Sequence, residues 1–258
     1  MKLTSKNYYT TKNNYLTSSK LKDYLKDPYY FYQKHITHEI TEILDTPSVR
    51  IGQAADCYLT RGASVFNNTF QQKVTKKENP DLFEYQKTVP DNLLTQAEYE
   101  RAIGIIDAVK STTLYKDIKK NFKAQQILQH DMPLGLLKGI AGMLDWLRID
   151  GERAMIIDLK TTSDASEKKF RYQMLDLNYY LQQAVYQMLV HLNYPEIKEC
   201  KSYILAVENN GPVYGMNIFE IDQAVIDLEK SFVSSLIQKI TLEEFKPKNL
   251  TWNDVKTI

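Results

Sequence analysis

The chain has 258 residues, is 43% hydrophobic and 25% charged, and carries a formal net charge of +1. This excludes disordered and collagen-like classes and allows one well-buried domain over residues 1–258. No apolar run approaches the roughly 20 residues that span a bilayer, and MKLTSKNYYTTKNN lacks the apolar core of a secretory signal, so a cytoplasmic protein without membrane contact is expected.

Residues 1–15 are polar and read as a flexible N-terminal arm. Ser19 is placed to cap a helix over about 20–34, which Pro28 interrupts or kinks. A second helix over about 48–61 ends at Gly62. Residues 65–74 read as a strand despite poor alternation, and a polar loop continues through Pro80 and Pro90. Thr95-Gln96-Ala97-Glu98 is a capping box that opens a helix to about residue 110. Three β-runs follow, 125–129, 136–149 and 154–161, the last two as a hairpin. A helix over about 177–192 carries Leu181, Val185, Leu189 and Leu192 at helical spacing. Strands 201–207 and 213–218 flank a turn at Asn209-Asn210-Gly211, and an amphipathic helix over about 222–240 comes last. With no repeat or linker, the expected fold is α/β, a mixed central β-sheet flanked by helices. No phosphate-cradling G-x-x-x-x-G-K-[ST] run is present, so no ATPase motor is expected.

The chemistry concentrates in GMLDWLRIDGERAMIIDLKTT. Asp145 lies near the end of one β-run, and after a turn at Asp150-Gly151 the next run delivers Asp158-Leu159-Lys160. Residues 158 and 160 of a strand share a face, and the hairpin partner can bring Asp145 beside them. Two carboxylates that hold Mg²⁺, with an ammonium that positions or deprotonates a water, meet the needs of metal-assisted phosphodiester hydrolysis. Alone, an Asp-x-Lys triplet is equally a solvated strand edge, and Asp145 could pair with Arg148. Gln182 and Tyr186 are four apart on one helical face, a pair that alone reads as surface plus core. Asp56 sits among Ala54, Ala55 and Cys57, where a carboxylate is costly unless paired or bound to metal.

Residues 1–35 hold Lys2, Lys6, Lys12, Lys20, Lys22, Lys26 and Lys34 against Asp23 and Asp27, interleaved with Tyr8, Tyr9, Tyr15, Tyr24, Tyr29, Tyr30 and Tyr32. Such lysines can contact phosphates while tyrosines stack on bases; the plainer alternative packs Tyr24, Phe31 and Tyr32 on one helical face. Cys57 and Cys200 fit reduced, buried thiols. The histidines, His35, His38, His130 and His191, have no zinc spacing.

In this order the pieces resemble the PD-(D/E)XK nuclease superfamily, specifically the exonucleases grouped with the RecB nuclease domain, RecE and phage lambda exonuclease. G-x-x-D matches Gly142 to Asp145, (D/E)-x-K matches Asp158 to Lys160, and Q-x-x-x-Y matches Gln182 to Tyr186. LTSSKLKDYLKDP, residues 16–28, is similar to the family's opening S-x-S-x-L helix. Residues 51–59 are similar to its G-x-x-x-H helix, with Asp56 in the histidine's place, and Gln125-Gln126 stands where many members carry a Glu. The resemblance covers roughly residues 16–208.

The resemblance implies a restriction-endonuclease-like core and Mg²⁺, for which Mn²⁺ substitutes. The implied metal ligands are Asp145, Asp158, the Leu159 carbonyl and Asp56. Lys160 is implied beside the attacking water, Gln182 on DNA backbone or metal-bound water with Tyr186 beneath it, and Thr161 and Ser19 as further substrate contacts. Some relatives hold an iron–sulfur cluster on four cysteines, which two cannot supply. The implied activity is a Mg²⁺-dependent exodeoxyribonuclease on double-stranded DNA ends. Digestion runs 5′-to-3′ and leaves 3′ overhangs for a single-strand annealing protein in phage-type recombination, from a homo-oligomeric ring of three or four subunits. Two rival readings are a structure-selective or defence endonuclease of the same fold and a degenerate nuclease kept as a DNA-binding scaffold.

Overall fold

The computed structural model describes residues 2–5, 7–10, 13–41, 45–87 and 92–246. In chain order the elements are α1 (Ser18–Lys26), α2 (Pro28–His35), α3 (Pro47–Asp56), a π-helical turn (Cys57–Arg61), α4 (Ala63–Thr69), β1 (Gln71–Gln72), α5 (Pro80–Gln86), β2 (Leu93–Leu94), α6 (Gln96–Lys110) and α7 (Thr113–Asn121). There follow β3 (Lys123–Leu134), β4 (Leu137–Asp150), β5 (Arg153–Thr162), α8 (Glu167–Asp176), α9 (Tyr179–Asn193), β6 (Glu199–Glu208), β7 (Met216–Glu220) and α10 (Gln223–Leu242).

The main sheet has the order β3-β4-β5-β6-β7. Its pairs are antiparallel except β5 with β6, which are parallel. A parallel pair needs a long crossover, and α8 and α9 supply it. One core lies where α9 and α10 meet the sheet through Leu144, Leu147, Ile156, Leu189 and Val233. The other joins α3 and α6 to the opposite face through Ile51, Ile105, Trp146, Ile157 and Leu205. This is the mixed, helix-flanked sheet that the alternation of the sequence predicts. Among the described residues no helix is long and apolar enough to cross a membrane.

Several boundaries differ from expectation. The helix over 20–34 is two helices, because Asp27 is extended (φ −163°, ψ 123°) and caps α2 with Pro28 in its first turn. Thr17 rather than Ser19 caps α1. The strand expected over 65–74 is α4 followed by the two-residue β1. Phe66 and Phe70, four apart, pack together with ring centroids 5.8 Å apart, a helical spacing that overrides the β-branched Val65. The polar loop contains α5, capped by Asn79; Pro90 lies outside the described residues. The strand expected over 213–218 begins at Met216.

The N-terminal segment, expected as a flexible arm, is packed in its described residues. Leu3 and Tyr15 are buried with Ala141, and the Leu3 amide donates to Gln129 Oε1 at 2.7 Å. Leu16 bridges Ile140 of β4, which satisfies backbone groups that a free arm would leave to water. Lys6 and Lys12 lie outside the described residues. The aromatic residues of α1 and α2 serve partly as core: Tyr24 meets Phe31 edge-on at 5.6 Å, and Tyr32 stacks on Phe245 at 5.0 Å.

The capping box of α6 carries a larger load than a cap alone. Glu98 closes the box through the Thr95 amide at 2.8 Å and pairs with Arg50 of α3 while nearly buried. Burial would raise its carboxyl, but Arg50 and the Thr95 bonds outweigh it and hold Glu98 below the usual range. A depressed folded value stabilises above the unfolded value of about 4.3 and is lost as pH falls through the folded value. Glu98→Gln is therefore expected to cost about 1–3 kcal/mol near neutrality, with the gap to the parent narrowing below about pH 4. Urea melts at several pH values test it; a gap independent of pH would contradict the ionic contribution.

Candidate active site

The site forms where two paired strands stop pairing. The β4–β5 ladder ends at Trp146↔Ile157, one residue short of setting Asp145 against Asp158. The Leu159 amide donates instead to Asp145 Oδ2 at 2.8 Å, so a carboxylate satisfies a group the ladder leaves free. The alternation of β4 breaks at the same point: Leu144 and Leu147, three apart, share one core while Trp146 faces the other. A regular strand cannot do this. Across from it, Gln125 of β3 takes φ +50°, an uncommon conformation for a residue with a side chain. Non-glycine backbone of this kind persists where its surroundings hold it in place, often at functional sites.

Three elements converge on the opening. Helix α3 carries Asp56, and the π-helical turn follows directly. An added Cβ at Gly52 would lie 2.9 Å from Thr161 Oγ1, so the glycine lets α3 approach β5. Helix α9 brings Gln182, whose Nε2 donates to Asp158 Oδ1 at 3.0 Å and to Tyr186 Oη at 2.9 Å. Ser18 and Ser19 open α1 at the rim. Together with Asp145, Lys160, Thr161 and Tyr186 these residues line one cleft of about 740 Å³.

The site residues picked out in the sequence, Asp56, Asp145, Asp158, Leu159, Lys160, Thr161, Gln182, Tyr186 and Ser19, all face this cleft. Gln125 was not singled out as a site residue, yet its Nε2 donates to Asp56 Oδ2 at 3.4 Å and to Thr60 Oγ1 at 3.1 Å. Its sequence signal is a polar pair at the start of a strand, in the place where the resembled family often carries a Glu. Lys22, one turn beyond Ser18 on α1, sets its ammonium 5.2 Å from the centre of the Tyr179 ring, and Lys160 sits 5.1 Å from the same ring. Cys57 and Cys200 are free and buried, while His35 pairs with Asp23 at 2.7 Å outside the cleft.

The electrostatics are those of crowded acids. Burial, then the charges of Asp56 and Asp158, push the Asp145 carboxyl well above the usual range. Burial and the Asp158 charge push Asp56 up to about 6. Burial alone would lower Lys160, but Asp158 and Asp145 outweigh it and raise the ammonium above its ordinary value. Lys160 pairs directly with Asp158 Oδ2. Asp56 Oδ1 is buried without a hydrogen-bond donor, and Asp158 Oδ2 has only that ammonium against it and no aligned hydrogen bond.

A buried acceptor oxygen of Asp56 without a donor, among acids that repel one another, suits a hard divalent cation. Among the described residues, no three acidic, imidazole or thiol side chains converge enough to enclose an ion. An ion held here would take the rest of its coordination from water and a substrate phosphate. Asp145, Asp158, Asp56 and the Leu159 carbonyl are the groups that would hold it.

A family model described as a PDDEXK-like domain of unknown function (DUF3799) matches residues 17–249. No curated protein matches the chain. Among solved structures, a presumed exonuclease from Eubacterium rectale superposes with a TM-score of 0.65 at 19% identity, covering 94% of this chain and 87% of its own. At that identity the likeness bears on the fold alone. LHK-Exo in complex with dAMP aligns at 13% identity over 76% of this chain and 93% of its own, with a TM-score of 0.27.

Proposed function

This chain belongs to the PDDEXK-like domain family, and we propose that it is a divalent-metal-dependent deoxyribonuclease that digests double-stranded DNA from its ends. The reading rests above all on the acids and ammonium gathered where β4 and β5 part, with Asp56 Oδ1 left without a donor and Asp158 Oδ2 met only by the Lys160 ammonium, in an open cleft. When bound, Mg²⁺ or Mn²⁺ would neutralise phosphate charge and make a bound water more acidic. The chain's own residues would do the rest. Asp145 and Asp158, with the Leu159 carbonyl and Asp56, would form the anionic seat.

Lys160 would orient the attacking water and stabilise the charge that develops on the phosphate. Gln182, whose amide N–H groups hold Asp158 and Tyr186, would offer its carbonyl oxygen to the attacking water. The hydroxyls of Ser19 and Thr161 would contact neighbouring phosphate oxygens. The direction we propose is 5′-to-3′, and the 3′ overhang produced is the form a single-strand annealing protein takes up in recombination. A ring of three or four copies is the assembly proposed for holding the duplex.

The test is digestion of a 5′-phosphorylated linear duplex labelled separately at each end, with Mg²⁺, Mn²⁺ or EDTA, alongside a closed circle and Lys160→Ala. We expect metal-dependent mononucleotide release from 5′ ends, an intact circle, and a loss of about 10²–10⁴-fold in the variant. Nicking of the circle would favour an endonuclease of the same fold. Binding without cleavage under any divalent metal would move the weight to a non-catalytic scaffold.

A further inference from the structure

The nuclease reading gives no part to Lys22, on the helix that opens at the rim of the cleft. Lys22 and Lys160 both lie on the ring of Tyr179, at 5.2 Å and 5.1 Å from its centre, so the two ammonium groups are within about 10 Å of each other, a span that covers neighbouring phosphates of one strand. Lys160 is committed to Asp158. Among the described residues, Lys22 has no carboxylate within ion-pair distance. The next residue, Asp23, is engaged elsewhere, with Lys34 at 3.1 Å and His35 at 2.7 Å. Lys22 also lies one helical turn after Ser18 and Ser19, which line the cleft, so α1 turns the same face to it.

We propose that Lys22 is a second phosphate-binding cation of the cleft, placed through Tyr179 to hold the DNA phosphate beside the one that Lys160 serves. The proposal rests on the nuclease reading. The half-buried Lys22 ammonium has the Tyr179 ring against it and no direct ion pair; burial and the Lys160 charge, opposed in part by Asp158, pull it down to about 8. A bound phosphate would supply the missing anion, whereas a purely structural lysine gains nothing from DNA.

The experiment uses Lys22→Met, which keeps an apolar stem on Tyr179 without charge, Lys22→Arg, which keeps the charge, and Lys239→Ala, an exposed lysine on α10, as the control for net charge. Fluorescence anisotropy in EDTA measures affinity for a labelled duplex against salt, and digestion with Mg²⁺ gives KM and kcat. We expect Lys22→Met to weaken binding about tenfold and to reduce the salt slope by about 1, with the loss of cleavage carried mainly by KM. Lys22→Arg should retain most of the affinity. Lys22→Met that matches Lys239→Ala in affinity and slope overturns the proposal, whatever its thermal midpoint. Should the parent protein cleave no DNA, the nuclease reading falls, and the affinity and salt slope still decide whether Lys22 meets phosphate.

Discussion

Asp158→Asn is expected to lower turnover on a linear duplex by about 10³-fold or more and, in the same protein, to tighten DNA binding in EDTA. The two effects have opposite signs for one reason. Asp158 is 1% exposed, with one oxygen held by Gln182 and the other against Lys160. Asparagine keeps the shape and an oxygen for Gln182 but removes the charge a divalent cation needs. Without the cation that same charge repels incoming phosphate, and it also occupies Lys160. Neutralising it leaves Lys160 free for DNA and relieves Asp56 and Asp145, both pushed upward in part by Asp158. Anisotropy in EDTA and digestion in Mg²⁺ separate the effects. Loss of both cleavage and affinity, together with a lower thermal midpoint, would instead mean that the Asp158–Lys160 pair mainly holds the fold, since breaking a buried pair is strongly destabilising.

The parts of this site that the sequence makes legible are those set by short-range geometry. Asp158 and Lys160 fall on one face because a strand alternates, and Asp145 joins them because Gly151, at φ +57°, closes a tight hairpin. Asp56 and Gln182 come from helices distant in sequence, and only their resemblance to ordered family motifs brings them in. Gln125 is marked in the sequence only as standing at the family's Glu position; its bonds to Asp56 and Thr60 depend on a backbone distortion, which no residue type announces when the residue is not glycine.

The helices that escape notice are short and weakly apolar. In α8 only Phe170 and Met174 are buried, and in α7 only Tyr115 and Ile118, so neither shows a sustained stripe. Yet α8 reaches the site region, where Gln173 Oε1 accepts from Thr162 Oγ1 at 2.6 Å. The N-terminal segment misleads for the converse reason. Its polar composition suggests an arm, while a few apolar residues, Leu3, Tyr15 and Leu16, are enough to dock it on β3 and β4.

The glycine of the G-x-x-D run leads to the second large effect. Gly142 faces α9, and an added Cβ would lie 2.9 Å from Leu189 Cδ1 and 3.0 Å from Tyr186 Cδ1 and Cε1. Leu189 Cδ1 ends a side chain that can give way, and a single methyl asks only a few tenths of an ångström of the buried Tyr186 ring, so Gly142→Ala should be mild. Gly142→Val adds two more carbons with little rotamer freedom and must push Tyr186, and with it α9, away from β4. Tyr186 accepts from the Gln182 amide that also holds Asp158, so the displacement passes straight to the acid. Overpacking of this kind costs about 1–3 kcal/mol, and a shift of about 1 Å in a reacting geometry costs about 10²-fold in rate. We therefore expect Gly142→Val to lose about 10²-fold in kcat at a temperature where urea melts show it still folded, with Gly142→Ala close to the parent in both. A folded valine variant with parental kcat would show that Gln182 is positioned by something other than the close approach of α9 to β4. The glycine three residues before the acid would then be a matter of packing alone.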